Sequence, residues 1–232
     1  MVGTSELSGL PVGKPDDRGV GSRWLAATLA GQLVVLLFAL GGAFAPAIPA
    51  AAAVPVLGLS AAAVVEPGNG GEAGSLSTST EWPAGSRVQL TFQADQEGWA
   101  AVLWFDGPDS MVPLYPSPAK GETGMTAADA PYVLPSDGAF LRLTPTGPGG
   151  DFVAVVAATD PDPEIVGVML DPQPRTVRAL RDRLEREAAA RVEAPGAVER
   201  YLQTADGRGV PVPWDEVRGT GRLVLGWGVE VR

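Results

Sequence analysis

Polar and apolar residues alternate strictly over residues 87–94. The even-numbered residues, such as Val88 and Leu90, are apolar, and the odd-numbered residues are polar. A side-chain period of two is typical of a strand with one buried face. The same alternation returns over residues 223–231. These two segments are therefore predicted to be strands of an antiparallel sheet.

Two short apolar runs, WAAVLWF at residues 99–105 and FVAVVAA at residues 152–158, show no alternation. Strands that are covered on both faces contain such runs, so we predict two central strands. Shorter strand candidates, separated by Gly, Pro and Asp turn residues, follow at residues 111–115, 132–134 and 140–144. Strands of this length and spacing, without helical patterns between them, predict an antiparallel β-sandwich or small barrel.

One amphipathic helix is predicted over residues 176–192, after these strands. Its apolar positions recur at steps of three and four residues, at Val177, Leu180, Leu184, Ala188 and Val192. Charged residues of opposite sign stand four residues apart on the other face, where they can form ion pairs. The predicted fold class is therefore mainly β, with one C-terminal helix that packs an apolar stripe on the sheet.

An uncharged apolar stretch covers residues 24–45, beginning at Trp24 and ending at Ala45, and its polar members are Thr28 and Gln32. As a helix it is roughly 33 Å long, enough to cross the hydrocarbon core of a bilayer. We expect a transmembrane helix or uncleaved signal anchor whose partner is the lipid bilayer.

Basic residues precede this stretch at Lys14, Arg18 and Arg23 and are then missing until Arg87. The positive-inside rule therefore places the N-terminus in the cytoplasm and the rest of the chain across the membrane. The expected location is the bacterial inner (cytoplasmic) membrane, with a single pass and a periplasmic C-terminal domain. Small residues up to Ala53 also fit a signal-peptidase site, so cleavage near Ala53 and secretion to the periplasm stay an alternative.

Composition divides the chain into five segments. Residues 1–23 are the predicted cytoplasmic segment, and residues 24–45 the membrane helix. Residues 46–80, rich in Ala, Pro, Gly and Ser, are predicted to be a spacer, with a first strand as the alternative. We place the β-domain at residues 81–173 and the amphipathic helix with the last strand at residues 174–232.

Charge and residue content exclude several classes of function. The chain carries 17 Lys and Arg against 27 Asp and Glu, a net charge of −10 that repels the phosphate backbone of nucleic acids. It contains no Cys and no His, so disulfides, thiol nucleophiles, imidazole bases and most zinc, copper and haem sites are excluded. We therefore expect no cofactor and no enzymatic activity of these kinds.

One catalytic motif matches in form only. Ser117 and Lys120 have the Ser-x-x-Lys spacing of penicillin-recognising enzymes, in which a helical turn brings the lysine to the serine. Pro116 and Pro118 flank the serine, and Gly121 follows the lysine, so the segment is predicted to be a surface loop rather than a helix.

Three carboxylates at alternate positions, Asp160, Asp162 and Glu164, could gather oxygen ligands for calcium. The intervening prolines predict an extended segment instead of the tight glycine turn of a helix-loop-helix calcium site. A solvated acidic loop is therefore the main interpretation, and calcium binding stays open.

Aromatic residues form the one candidate interaction surface. It consists of Trp82, Trp99, Trp104, Tyr115 and Tyr132, since aromatic side chains supply large contact area with a polar tip. Trp214 is a further aromatic residue that could line a ligand groove. Core packing is the competing role. Strand alternation places Trp99 and Trp104 on opposite faces of their strand.

Two segments resemble a known bacterial family. GWAAVLWFDGPDSMVPLYPSPA at residues 98–119 and YVLPSDGAFLRLTPTGPGGDFVAVVAATDP at residues 132–161 are similar to the pattern of domain of unknown function family 4384 (DUF 4384), over roughly residues 87–163. Ser117 replaces an Asn that family members often carry, and the turn contains Gly107-Pro108-Asp109 instead of a plain Asp-Gly. The resemblance implies an all-β accessory domain found beside peptidases, kinases and other envelope or signalling modules, with no catalytic residues of its own.

These observations together predict a membrane-anchored, extracytoplasmic, non-enzymatic β-domain that recognises a partner envelope protein or assists a partner enzyme. One alternative is an exported hydrolase that uses two carboxylates, which requires such a pair to converge in a pocket. Another is a glycan- or peptidoglycan-binding envelope domain, which requires an exposed aromatic strip on one sheet face.

Overall fold

The structure is a computed structural model, and it describes residues 56–117, 120–136, 139–190 and 198–232. The predicted membrane span at residues 24–45 and the cleavage site near Ala53 lie outside the described residues. Within the described ranges, no helix combines the length and the apolar character needed to cross a bilayer.

The described residues form thirteen strands and two helices. In chain order these are β1 Leu57–Glu66, β2 Gly74–Ser75, β3 Glu81–Trp82, β4 Arg87–Ala94, β5 Gly98–Phe105, β6 Met111–Tyr115, β7 Met125–Thr126, β8 Tyr132–Leu134, β9 Leu141–Arg142, β10 Asp151–Ala158, α1 Pro163–Leu170, α2 Pro174–Ala189, β11 Val198–Gln203, β12 Gly209–Gly219 and β13 Leu223–Val231. The prediction of a mainly β fold is confirmed.

The strands form two sheets. The first sheet has the order β11-β12-β1-β4-β8, with β2 beside β1 and β9 beside β4. The second has the order β3-β13-β10-β5-β6, with β7 beside β5. Among the described pairs only β3 and β13 run parallel. The arrangement is consistent with the predicted sandwich.

The space between the sheets holds the main hydrophobic core. On β4, the predicted apolar side is buried as expected and contributes Val88, Leu90 and Phe92. The second sheet contributes alternate residues of β5, β10 and β13, such as Val102 and Val155. Both predicted central strands are confirmed, because their other residues pack on a second core beneath the helices.

Helices α1 and α2 cover the outer face of the second sheet. The predicted helix is confirmed as α2, whose buried residues Val177, Leu180 and Leu184 pack on this face. The prediction of a single helix was wrong, because the expected acidic loop leads directly into α1. Pro163 suits the first helical position, where no backbone N–H is needed.

Of the two alternatives for residues 46–80, a spacer or a first strand, residues 57–66 form a strand, β1, in the middle of the first sheet. Nearly all of β1 is buried, so its Ala- and Val-rich sequence shows no alternation. One side faces the main core. Ala62 and Val64 on the other side pack against Val212 and Trp214 of the hairpin formed by β11 and β12.

This hairpin, which the sequence analysis did not predict, positions the candidate site. Asp215 to Gly219 of β12 pair with β1, whereas Gly209 to Trp214 pair with β11. The first half of β12 therefore leaves the edge of β1 and lies with β11 over the outer face of the first sheet, where it covers apolar side chains.

Candidate functional site

A groove of about 470 Å³ lies between the β11–β12 hairpin and the outer face of the first sheet. Its floor is the polar side of β4, on which Gln89, Thr91 and Gln93 alternate with core residues. We call these three residues the polar row. The remaining lining comes from β8 with the residue before it and from the hairpin, namely Pro131, Val133, Arg200, Tyr201, Leu202, Gln203 and Trp214.

The polar row is sheltered rather than fully solvated. Thr91 is only 4% exposed, and it lies opposite Ala62 of β1 and Val133 of β8 in the sheet register. Gln93 accepts a hydrogen bond from Arg200 at 3.1 Å. The side-chain amide of Gln89 has no protein partner among the described residues, so its donor and its acceptor are both available to a ligand.

Trp214 and Arg200 shape the hairpin side of the groove. The Trp214 side chain is 4% exposed, and its indole Nε1 has no hydrogen-bond partner in the described part of the chain. The guanidinium of Arg200 lies over its ring. Tyr201 is 77% exposed at the same site. The groove therefore combines apolar contact area with several uncommitted polar groups.

The charge of the groove differs from that of the protein. The chain has a net charge of −10, yet Arg200 is the one charged residue among those that line the groove. None of the residues that line the groove carries a carboxylate. The electrostatics favour a neutral or acidic segment over a basic one.

A second, smaller cavity lies beside strands β5, β6, β9 and β10. It measures about 200 Å³, and Trp104, Asp106, Asp151 and Arg142 contribute to its lining. Burial raises the pKa of the Asp151 carboxyl, as does the nearby Asp106, although the hydrogen bond from the Trp104 indole and the nearby Gly107 amide oppose this. Two carboxylates therefore share one cavity, and only Asp106 is exposed.

Four of the five aromatic residues in the predicted interaction surface are buried. Trp82, Trp104 and Tyr115 belong to the main core, and Trp99 belongs to the core beneath the helices. The predicted opposition of Trp99 and Trp104 is therefore seen. Tyr132 is half-buried. A binding role for this set stays a prediction, and the placement favours core packing for its four buried members.

Tyr115 and Tyr132 meet across the two sheets. Their ring centres are 5.5 Å apart, and each also contacts Phe92, at 5.4 and 5.1 Å. Both hydroxyls are used, because Tyr115 donates to the Met125 carbonyl and Tyr132 accepts from the Ala127 amide. Burial, with smaller contributions from Tyr132 and Glu122, raises the pKa of Tyr115 to about 12. The cluster joins the sheets.

Two of the three carboxylates considered for calcium, Asp162 and Glu164, form ion pairs instead, and the exposed Asp160 accepts a hydrogen bond from the neighbouring Thr159 hydroxyl. Asp162 is the N-cap of α1, accepts from the Glu164 and Ile165 amides, and pairs with Arg222. Glu164 pairs with Arg183. The predicted extended segment is thus a helix start. In the described ranges no group of three or more acidic, His or Cys residues could hold a metal ion.

The contact between the Ser-x-x-Lys residues is a backbone one, in which the Lys120 amide donates to the Ser117 carbonyl at 3.0 Å as in a turn. The Lys120 ammonium donates to the Ser136 hydroxyl at 2.9 Å, and the Ser117 amide donates to Glu122. Both residues line a cavity of about 160 Å³. The contacts favour the loop interpretation over catalysis.

Sequence analysis named Trp214 as an aromatic residue that could line a ligand groove, but it missed the hairpin that carries this residue. Val210, Val212 and Trp214 do alternate, which is a strand signal. Pro211 and Pro213 lie between them and argue against a central strand. They are tolerated because this half of β12 pairs with β11 alone.

Comparison with protein-family models, with curated protein sequences and with solved structures finds no match to this chain.

Proposed function

We propose that this protein is a membrane-anchored, extracytoplasmic and non-enzymatic binding domain that holds an extended segment of a partner envelope protein. The binding site in this proposal is the groove beneath the β11–β12 hairpin. The observation that carries the proposal is the sheltered polar row, Gln89, Thr91 and Gln93, facing an aromatic hairpin wall that carries no carboxylate.

The spacing of the polar row favours a polypeptide ligand. Alternate residues of a strand stand roughly 6.6 to 6.8 Å apart, since each residue advances the chain by 3.3 to 3.4 Å. An extended peptide presents its backbone N–H and C=O groups at the same interval. Gln side chains carry both a donor and an acceptor, so they can pair with both kinds of backbone group.

The walls of the groove supply contact area for side chains. Val133 and Tyr201 are both exposed large side chains, and they line the groove together with Leu202 and Pro131. Apolar residues of a bound segment gain stability by covering them, at roughly 25 cal/mol per Å² of apolar surface removed from water. The polar row then fixes the position of the segment, and the apolar walls add affinity.

The accessory role rests on the sequence. The apolar span at residues 24–45 and the basic residues before it support a single-pass anchor with the β-domain outside. The resemblance to DUF 4384 supports a domain that works beside a partner enzyme or signalling protein. The lack of His and Cys removes the commonest nucleophiles, bases and metal ligands.

A carboxylate-dependent hydrolase is the second candidate, because Asp106 and Asp151 line one cavity. An acid and a base that share a cavity are the minimum for such chemistry. The volume of about 200 Å³ argues against a polymeric substrate. The carbohydrate-binding alternative lacks its required aromatic strip in the described residues, where Tyr201 is the one largely exposed aromatic residue of the groove.

Site-specific photo-crosslinking in native membranes tests the proposal. A benzoylphenylalanine is placed at Tyr201 in the full-length chain, and the matched control carries it at Leu170, which is 76% exposed on α1. We expect a discrete cross-linked polypeptide from position 201 alone, and less of it when the Tyr201 probe is combined with Gln89→Ala. No product at position 201, or the same product at both positions, contradicts the proposal.

A further inference from the structure

The cavity beside β5, β6, β9 and β10 has an acidic group at a buried position. Asp151 is 6% exposed, and Trp104 beside it is also buried. Asp106, Val112 and Arg142 are exposed members of the same lining. The cavity therefore has an inner carboxylate and an outer rim that carries both signs of charge.

The Asp151 carboxylate is only partly satisfied. Its Oδ2 accepts a hydrogen bond from the Trp104 indole N–H at 3.2 Å. Its Oδ1 is buried without a hydrogen-bond partner in the described part of the chain. A buried polar atom in this state costs free energy, and most such atoms in proteins are paired. Because Oδ1 is closed to water in the structure, a ligand that donates to it must first displace part of the lining, and the new hydrogen bond would then remove this cost.

The walls around this carboxylate are largely aliphatic. They are formed by Val112, Leu114, Leu141 and Leu143, with the indole of Trp104. The volume of about 200 Å³ is below the roughly 300 Å³ at which drug-sized ligand pockets begin. The cavity therefore suits a group the size of one side chain, with an apolar stem and a cationic donor at its end.

We propose that this cavity binds a primary ammonium group carried on an unbranched aliphatic chain, as in a lysine side chain. The ammonium donates to Asp151 Oδ1, and the aliphatic walls hold the stem. Asp106 at the rim adds attraction for the cation, whereas Arg142 and the nearby Arg181 oppose it. An ammonium group is a compact charge with three donors, so it matches a single free carboxylate oxygen better than a planar guanidinium does.

The ligand must come from another molecule. The chain has only two lysines, Lys14 and Lys120. Lys120 already donates to Ser136, and Lys14 is predicted to lie on the cytoplasmic side. The inference does not depend on the groove beneath the hairpin, because none of the residues that line that groove lines this cavity.

The test follows the indole N–H of Trp104 by NMR in the full-length chain in detergent micelles, with Trp104→Phe to assign its signal. Butylammonium chloride is the probe, 1-butanol is the neutral control, and sodium chloride controls for ionic strength. We expect a saturable shift with butylammonium alone, with a Kd on the order of millimolar for so small a ligand.

Two variants locate the binding site. Asp151→Asn keeps the shape and removes the charge, so we expect binding at least about tenfold weaker. Val112→Lys places a permanent ammonium at an exposed rim position and is expected to compete with the probe. The five other indole signals report whether each variant keeps the fold. A shift with 1-butanol equal to that with butylammonium, no saturable shift, or unchanged affinity in both variants overturns the inference.

A lysine derivative blocked at both backbone ends separates the two sources of the ligand. Binding of this derivative as strong as that of butylammonium supports a lysine of a partner protein. Binding of butylammonium alone supports a free amine.

Discussion

The guanidinium carbon of Arg200 lies 4.4 Å from the centre of the Trp214 ring, across the two strands of the β11–β12 hairpin. Arg200 also donates to Gln93 on β4. One exposed side chain thus contacts both the hairpin wall and the polar row. Because the hairpin pairs with the rest of the first sheet through only half of β12, this contact helps to hold the hairpin over the groove.

We expect Arg200→Ala to lower the free energy of unfolding by about 1 kcal/mol, the sum of a weak cation–π contact and one side-chain hydrogen bond. The measurement is urea unfolding of the full-length chain in detergent, followed by circular dichroism. Arg218→Ala is the matched control, because Arg218 is exposed on β12 and its ion pair is with nearby Glu216 of the same strand. Arg218→Ala should lower the free energy of unfolding by less than about 0.5 kcal/mol. Equal losses in the two variants contradict the role of Arg200.

The strands of the main core could be predicted because their surroundings leave a pattern in the sequence. Strand β4 has one covered face and alternates, and β5 and β10 have two covered faces and are continuous apolar runs. The boundaries of β6, β8 and β13 agree with the predicted ranges. In each case the local sequence reports directly on burial.

Elements whose burial depends on distant residues were missed or left undecided. Strand β1 reads like an Ala-rich spacer, because its outer face is covered by a hairpin almost 150 residues further along the chain. The groove depends on that same hairpin, so the sequence showed only separate parts of it: Trp214 as an aromatic candidate, and the polar row as the polar side of a half-buried strand. Helix α1 was missed because two prolines around Asp162 indicated an extended segment, whereas Pro163 begins the helix.

Two glycines on β13 give a matched test of the packing beneath α2. A Cβ added to Gly226 would lie 2.5 Å from the ring of Phe152 and 3.2 Å from Ala188 of α2, whereas one added to Gly228 meets nothing within 4 Å. We expect Gly226→Ala to destabilise by about 1 to 3 kcal/mol through overpacking. Gly228→Ala should be neutral or stabilising by up to about 1 kcal/mol. The reverse order, measured by urea unfolding, contradicts the described packing.

The N-cap of α1 makes stability depend on pH. Burial raises the pKa of Asp162, but hydrogen bonds from Arg222 and from the Ile165 and Glu164 amides outweigh it, so the pKa lies below its usual 3.8. The folded state therefore favours the charged form. This contribution is fully present above pH 3.8 and is lost as the pH falls through the lower, folded-state pKa.

Asp162→Ala should accordingly lower the free energy of unfolding by about 2 kcal/mol at neutral pH, because it removes the N-cap of α1 and one carboxylate partner of Arg222. The difference from the unsubstituted chain should shrink as the pH is lowered below 3.8. Asp160→Ala, at an exposed position before the helix, is the control and should be nearly neutral. A loss of stability in Asp162→Ala that does not change with pH contradicts the role of the charged Asp162 carboxylate as the N-cap. Stability that rises with added calcium would instead favour the cation site.

Asp151 should show the opposite dependence on pH. Burial raises its folded-state pKa above 3.8, although Trp104, the Gly107 amide and Arg181 oppose this. Its contribution to stability is therefore fully present below pH 3.8 and is lost as the pH rises through the higher, folded-state pKa. Asp151→Asn keeps an acceptor for the Trp104 indole, so its stability relative to the unsubstituted chain should increase with pH above 3.8.

Butylammonium should act against this difference in stability between Asp151→Asn and the unsubstituted chain, because it pairs with the charged carboxylate of the folded state only. At tenfold its Kd, the ligand should stabilise the unsubstituted chain by about 1.4 kcal/mol and Asp151→Asn, which binds at least about tenfold more weakly, by no more than about 0.4 kcal/mol. Urea unfolding at several pH values, with and without butylammonium, measures both effects, and Asp171→Asn at an exposed position is the control. If Asp151→Asn is the less stable chain at neutral pH without ligand, the carboxylate already has a partner in the fold, and the cavity needs no cation.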